Sequence, residues 1–263
     1  MYVDTDGLVI RQIKTGDGRR MLLLLTRKYG KISAGTSINE RGKSKSALAI
    51  RPFTYGHYDI FKGRSAYSLN GAEVKSSFYA IGEDIDKFML ASQVLEFTEK
   101  LLPEEEPNEK IFDLLLDFLS LLTQRKAKLE TLSSGYAFKA LKYAGLEPQL
   151  NVCSSCGSRL KKEEGRNDFV YFSVKDGGII CEECKDKLFQ GNASASNLIY
   201  KVRFDIIDIL KYFINNPLES LKTVGLSEES QKDVSTILGS YISYHLGIDS
   251  MKLKDIYKSL LKE

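Results

Sequence analysis

The amino-acid sequence predicts an α+β chain: an N-terminal β-barrel, then an all-helical domain that carries an inserted four-cysteine zinc finger. Three observations lead there. The first 80 residues are short apolar runs broken by turn residues. From Gly82 the apolar period lengthens to that of helices, and four cysteines stand in two CxxC pairs. The expected domains are residues 1–80 and 81–263, with the finger at about 150–190.

Five strands are expected in the first domain: Thr5–Lys14, Arg20–Thr26, Gly30–Ser37, Ala49–Phe61 and Ser65–Lys75. All are rich in Ile, Val, Leu, Phe and Tyr. Turn signals fall at Gly16-Asp17-Gly18, Lys28-Tyr29-Gly30, Lys62-Gly63 and Asn70-Gly71. Five short strands fit a small closed barrel of the OB-fold kind, with an SH3-like barrel as the alternative. Helices are expected from Ile85 to Leu102, from Pro107 to about Arg125, and over Leu129–Ala144, where Gly145 and Pro148 stop the last. Ser196–Ile214, Ser227–Leu246 and Met251–Leu261 read as three more.

Cys153-Ser-Ser-Cys156 and Cys181-Glu-Glu-Cys184 are two tight turns separated by 24 residues. Two residues between thiolates let one turn aim both sulfurs at one ion, and two such turns complete a tetrahedral shell. One structural zinc ion is expected. An iron–sulfur cluster or four free thiols are the alternatives. Four protein ligands leave no open position for a substrate, which assigns the ion to folding.

Net charge is +3, and it is unevenly distributed. Residues 1–80 hold 14 basic and 6 acidic side chains, net +8, against 24 and 29, net −5, in the remainder. A basic module points to a polyanion. The candidate phosphate contacts are Arg11, Lys14, Arg27, Lys28, Lys31, Arg41, Lys43, Lys45 and Arg51. Phe53, Tyr55, Tyr58, Phe61 and Tyr67 are interleaved with them as candidate stacking rings, with Tyr expected on the surface and Phe in the core.

Several activities are excluded at this level. No run approaches the ~20 apolar residues of a membrane span, and no secretory signal opens the chain, so a cytoplasmic address is expected. Ser37 to Ser44 nearly matches a P-loop, but its first glycine is missing and Ala47–Phe53 reads as strand where a helix should begin. The histidines, His57 and His245, have no acid or nucleophile close in sequence. No catalytic centre emerges.

Four ordered motifs carry a family resemblance. "GLVI…LLLLTRKYGKISA…KSKSALAIRPF" in the barrel, "YAFKALKYAGLEPQLNVCSSCG" before the first cysteine pair, "YFSVKDGGIICEEC" at the second and "HLGIDSMKLKDIYKSLL" at the end resemble the bacterial RecO family. The resemblance implies an OB-fold, a helical domain and a zinc finger. It also implies binding of single- and double-stranded DNA and annealing of complementary strands without ATP. The implied partners are RecR, single-strand-binding protein and, indirectly, RecA. Two departures stand in the loop that should clamp DNA, Ser37 and Glu40, where basic residues are expected; Arg41, Lys43 and Lys45 keep its basic character. Lys139 and Lys142, three apart on one helix, are the candidate contact for the tail of single-strand-binding protein. A zinc-stabilised protein adaptor is the alternative function, and a nuclease a third.

Overall fold

A computed structural model describes residues 1–14, 20–38, 45–64, 66–160, 169–191 and 198–248. The chain divides into two compact units, Met1–Lys126 and Ala127–Glu263. The first unit therefore extends past residue 80 to take in two of the helices.

In the first unit, β1 (Tyr2–Lys14), β2 (Arg20–Thr26), β3 (Gly30–Thr36), β4 (Thr54–Lys62) and β5 (Tyr67–Ser77) close a barrel in the order β1-β2-β3-β5-β4. Closure comes from a short parallel pairing, Ala34 with Tyr67 and Gly35 with Ser68. Five strands in this order make the OB-fold. Val9, Leu22, Leu24, Ile32, Ala34, Ile60 and Leu69 fill it, with Tyr58 fully buried among them. Tyr58 can lie there because its hydroxyl donates to the carbonyls of Ala49 (2.8 Å) and Thr54 (3.3 Å).

Two expectations fail locally. Residues 45–49 form a short helix, α1 (Lys45–Ala49), followed by a turn, where the sequence suggested one strand from Ala49 to Phe61. Ala47, Ala49 and Ile50 are buried, so the apolar run reflects packing rather than extension. The helix has only five residues and sits in a closed, mainly antiparallel barrel, so the strand-to-long-helix unit of a parallel sheet that a P-loop needs is missing along with the first glycine. Asn70-Gly71 is no turn either. Asp59 pairs with Gly71 and Ile60 with Leu69, which leaves Asn70 as a bulge inside β5. A Cβ on Gly71 would stand 2.7 Å from the Asp59 carboxylate, which would have to turn aside.

After a 3₁₀ turn come α2 (Ile85–Leu101) and α3 (Glu109–Gln124). Asp84 caps α2 by accepting from the Asp86 and Lys87 amides, and Asn108 caps α3 through the Ile111 amide. The segment between them runs beside β3: Lys31 forms a parallel β-bridge with Glu104, and the Glu105 amide donates to the Lys31 carbonyl at 3.0 Å. Gly30, at φ +65°, lies so close to this segment that a Cβ would stand 2.3 Å from the Glu106 carbonyl oxygen.

In the second unit α4 (Leu129–Tyr143) is buried along most of its length. Gly135 gives the room: a Cβ there would meet Leu221 at 2.2 Å. Gly145, at φ +79°, ends the helix by donating to the Lys142 carbonyl while the Leu146 amide reaches Leu141. Next come β6 (Phe169–Ser173), β7 (Gly178–Ile180), α5 (Glu182–Gly191), β8 (Ile199–Arg203), α6 (Phe204–Asn215) and α7 (Glu228–Leu246). The helix expected over Ser196–Ile214 is thus a strand, β8, that pairs with β6, followed directly by α6. Ile199, Tyr200 and Val202 are β-formers, and the waiting edge of β6 decides their state. The expected helix Met251–Leu261 and the turn Gly16–Gly18 lie outside the described residues.

Three lysines finish the helices by one device. Lys31 Nζ donates to the Glu99 carbonyl in the last turn of α2 (2.7 Å) and Lys87 to Thr123 in that of α3 (2.9 Å). Lys139 does the same to Ile214 in that of α6 (3.0 Å). Each ammonium satisfies a carbonyl with no partner inside its own helix and sits at the negative end of the dipole.

Candidate metal centre and nucleic-acid interface

The four cysteines meet in the second unit. Gly157, at φ +75°, closes the first turn by donating to the Cys153 carbonyl (2.8 Å), and the Cys153 amide reaches Ser158 (2.8 Å). The Ser154 amide ties this knuckle to Ile179 in β7 (2.8 Å). Cys181 and Cys184 sit at the start of α5. All four sulfurs lie within 4.8 Å of one another, and Cys156 and Cys181 are 3.8 Å apart. A tetrahedral ion with metal–sulfur bonds of ~2.3 Å needs sulfurs about 3.8 Å apart, so the donor set and spacing fit. The Cys181 amide donates to Cys153 Sγ at 3.3 Å, and Ser158 lies 3.0 Å from Cys156 Sγ. The Ser158 side chain and backbone hold the Cys156 thiol down at about 6, while Cys184, despite a hydrogen bond from Ser155 that lowers it, is pushed up to about 12 by Cys181, burial and the other two thiols. Cys153 and Cys184 are buried with Ile180, while Cys156 is exposed. The four residues could hold one metal ion.

The candidate DNA contacts are placed less uniformly. Arg11 pairs with Glu99 at 2.7 Å. Arg27 makes a two-pronged contact with Asp113 and lies over the Phe112 ring, 4.8 Å from its centroid. Lys28 pairs with Asp4 at 3.0 Å. Lys31 is 9% exposed, and besides capping α2 it meets Glu104 at 3.2 Å, so its ammonium is engaged inside the unit. Lys14 and Arg51 are exposed and have no ion pair among the described residues. Lys45 begins α1. Arg41 and Lys43 lie outside the described residues.

The sequence reading missed where the counter-charges are. Residues 81–126 carry 11 acidic and 5 basic side chains, net −6, which leaves the first unit at only +2. Glu99, Glu104, Glu105 and Asp113 come from α2, α3 and the segment between them; Glu105 also meets Lys62 at 3.3 Å. A charge count ended at residue 126 instead of 80 gives the signal.

The aromatic assignment holds for Phe53 and fails for Tyr58, Tyr67 and Phe61. Tyr58 and Tyr67 are core, Phe53 is buried, and Tyr55 is half-buried with its hydroxyl on Asp6 (3.1 Å). Of the five candidate rings, Phe61 is the exposed one, and it packs edge-on against exposed Tyr2 at 5.1 Å. His57 finds acids that are remote in sequence: its Nδ1 lies 2.9 Å from Asp6, whose carboxylate also takes Lys75 at 2.7 Å. Burial pushes the Asp6 pKa up, but the hydrogen bonds from Lys75, His57 and Tyr55 overcome it and hold it at about 2.

Lys139, a candidate contact for the tail of single-strand-binding protein, is 5% exposed, and its cap on α6 explains why. Burial, then the neighbouring Lys142, lowers its pKa. Lys142 keeps partial exposure and reaches Asn215 Oδ1 at 3.2 Å.

Fold and site together define a class: an OB-barrel protein with a helical unit and a four-cysteine cluster that could hold a metal ion. Two family models match the chain, "Recombination protein O N terminal" over residues 1–78 and "Recombination protein O C terminal" over 82–255. The DNA repair protein RecO of Alkaliphilus metalliredigens is 30% identical over 260 residues, covering 99% of this chain and 100% of its own. The RecO proteins of Thermoanaerobacter sp. (29%; 97% of each chain) and Pelotomaculum thermopropionicum (31%; 93% of this chain and 89% of its own) are similar as well. The chain belongs to the RecO family of DNA repair and recombination proteins. No helix among the described residues is long and apolar enough to cross a membrane.

Proposed function

We propose that this protein is a recombination mediator that binds single- and double-stranded DNA and anneals complementary strands without ATP. On this reading it acts in the cytoplasm with RecR to help load RecA onto strands coated by single-strand-binding protein, and it catalyses no covalent step. The metal is one structural zinc ion held by Cys153, Cys156, Cys181 and Cys184. The observation that carries the reading is the family match along both parts of the chain, beginning with a closed OB-barrel.

The barrel's charges refine it. Annealing requires a surface that screens two phosphate backbones at once. Arg11, Arg27, Lys28 and Lys31 already face carboxylates, so a phosphate must displace those partners first. Lys14 and Arg51 need no such exchange, and Arg41, Lys43 and Lys45 belong with them on sequence grounds. Of the lysine pair assigned to the tail of single-strand-binding protein, Lys142 keeps partial exposure, and an acidic tail must displace its Glu147 contact at 3.6 Å.

Fluorescence anisotropy with a labelled oligonucleotide across a salt series tests this. Lys14→Glu with Arg51→Glu should weaken binding and flatten the salt slope by ~0.7 for each phosphate no longer neutralised, and strand annealing should fall with it. Arg11→Gln with Arg27→Gln should change the slope less. The neutralised cations also support the adaptor reading; a protein that binds no oligonucleotide at physiological salt is that adaptor.

A further inference from the structure

We propose that Cys156 is a site of oxidation by peroxide, and that Cys181 completes the step by closing a disulfide with it. The inference rests on the reading of the four cysteines as a zinc site. The four thiols are unequal. Cys153 and Cys184 are 1% and 7% exposed and pack around Ile180, with Tyr171, Leu188 and Ile199 beside them. Cys181 is half-buried and Cys156 is exposed. An oxidant arriving from water therefore meets Cys156 first, and thiol oxidation follows exposure. The turn is open at the same point. Gly157 comes next at φ +75°, and a Cβ built on it would meet nothing within 4 Å, so no described residue stands over that corner. The resolving sulfur is already in place, because Cys181 Sγ touches Cys156 Sγ at 3.8 Å. An accessible thiol beside a second one is the arrangement of redox-sensing cysteines.

The step balances with hydrogen peroxide as the oxidant. The Cys156 thiolate attacks one peroxide oxygen: an S–O bond forms, the O–O bond breaks, and the leaving hydroxide takes a proton from solvent to become water. The Cys181 thiolate then attacks the sulfenic sulfur: an S–S bond forms, the S–O bond breaks, and a second hydroxide leaves as water. Two thiolates have lost two electrons and one peroxide has gained them. Two of the four ligands are spent, so the ion leaves, while buried Cys153 and Cys184 keep their thiols. A dithiol reductant returns all four ligands, which makes the step reversible and ties the metal content of the finger to the redox state around it.

Zinc-loaded full-length protein treated with hydrogen peroxide tests this, with a coloured chelator to follow released zinc and mass spectrometry to map disulfides after alkylation. Zinc should appear in step with a disulfide between Cys156 and Cys181, and dithiothreitol with added zinc should reverse both. Cys156→His keeps a ligand for zinc and should slow the release several-fold. The disulfide map needs no variant, so the test stands even where Cys156→His fails to fold. Zinc that stays bound while peroxide oxidises glutathione in the same tube overturns the proposal. So does a first disulfide between any other pair of the four cysteines. A chain that takes up no zinc fails the metal reading instead, and the first disulfide formed by that metal-free chain still decides which cysteines react. No readout involves DNA, so failure here leaves the mediator reading untouched.

Discussion

Replacing Lys139 by methionine isolates the device that ends α6. The ammonium donates to the Ile214 carbonyl at 3.0 Å, and the two residues are 5% and 2% exposed. A hydrogen bond from a charged donor contributes about 1.5–3 kcal/mol, and removing it leaves a buried carbonyl without a partner. Methionine keeps most of the volume and avoids the cost of burying the charge, so we expect a net loss of about 1–2 kcal/mol. Lys139→Ala adds a cavity and should cost about 3 kcal/mol or more. Urea denaturation followed by circular dichroism measures both, with hydrogen exchange to locate the effect in the last turn of α6. The sign with pH is fixed too. The folded protein holds the Lys139 pKa below its unfolded value, so between those values the unfolded chain binds more protons and stability rises with pH. The deficit of Lys139→Met should therefore widen as pH climbs towards ~10.4. A methionine variant within ~0.5 kcal/mol of the parent would refute the capping role. So would unchanged stability combined with weaker binding to an acidic tail, because that is the behaviour of a surface contact.

Three further outcomes are expected of the same structure. Metal analysis should find one zinc per chain, and Cys153→Ser or prolonged chelation should unfold the region from 150 to 203 while the barrel keeps its strand signal; intact spectra on removal would refute the folding role. Gly30→Ala forces a Cβ to 2.3 Å from the Glu106 carbonyl at a φ of +65°, so thermal melts should show a loss of at least ~2 kcal/mol. Asp6 is held at about 2 against an ordinary value of 3.8, so its stabilisation is full above ~4 and is lost as pH falls through 2. Lys75 is exposed and its pairing is screened by solvent, so the effect is modest: Asp6→Asn should flatten the acid limb of stability against pH in denaturation at several pH values, and an unchanged limb would refute the role of Asp6.

Elements with strong local signals were legible in the order of residues. Gly145 stops α4 as expected, α2 starts at Ile85 and β2 spans Arg20–Thr26 as expected, while α3 starts behind the Asn108 cap rather than at Pro107. The four-cysteine cluster was legible because CxxC spacing is a local geometric constraint: each turn presets two sulfurs, and the fold need only bring two turns together. Where local preference was weak, distant neighbours settled the outcome. The stretch 199–203 becomes a strand because β6 offers an edge, and 45–49 becomes a helix because Ala47, Ala49 and Ile50 pack at the barrel.

Charge was the least legible property. A lysine reads alike in sequence whether it faces water or a helix end, and only the fold shows that Lys31, Lys87 and Lys139 finish α2, α3 and α6. Coulomb interactions and hydrogen bonds depend on distances in space, and Arg11 and Arg27 find their acids 88 and 86 residues away. The residues in order thus establish a basic N-terminal segment and a set of four cysteines suited to one ion. Which cations still face solvent is settled only on folding, because neutralisation comes from long-range contacts.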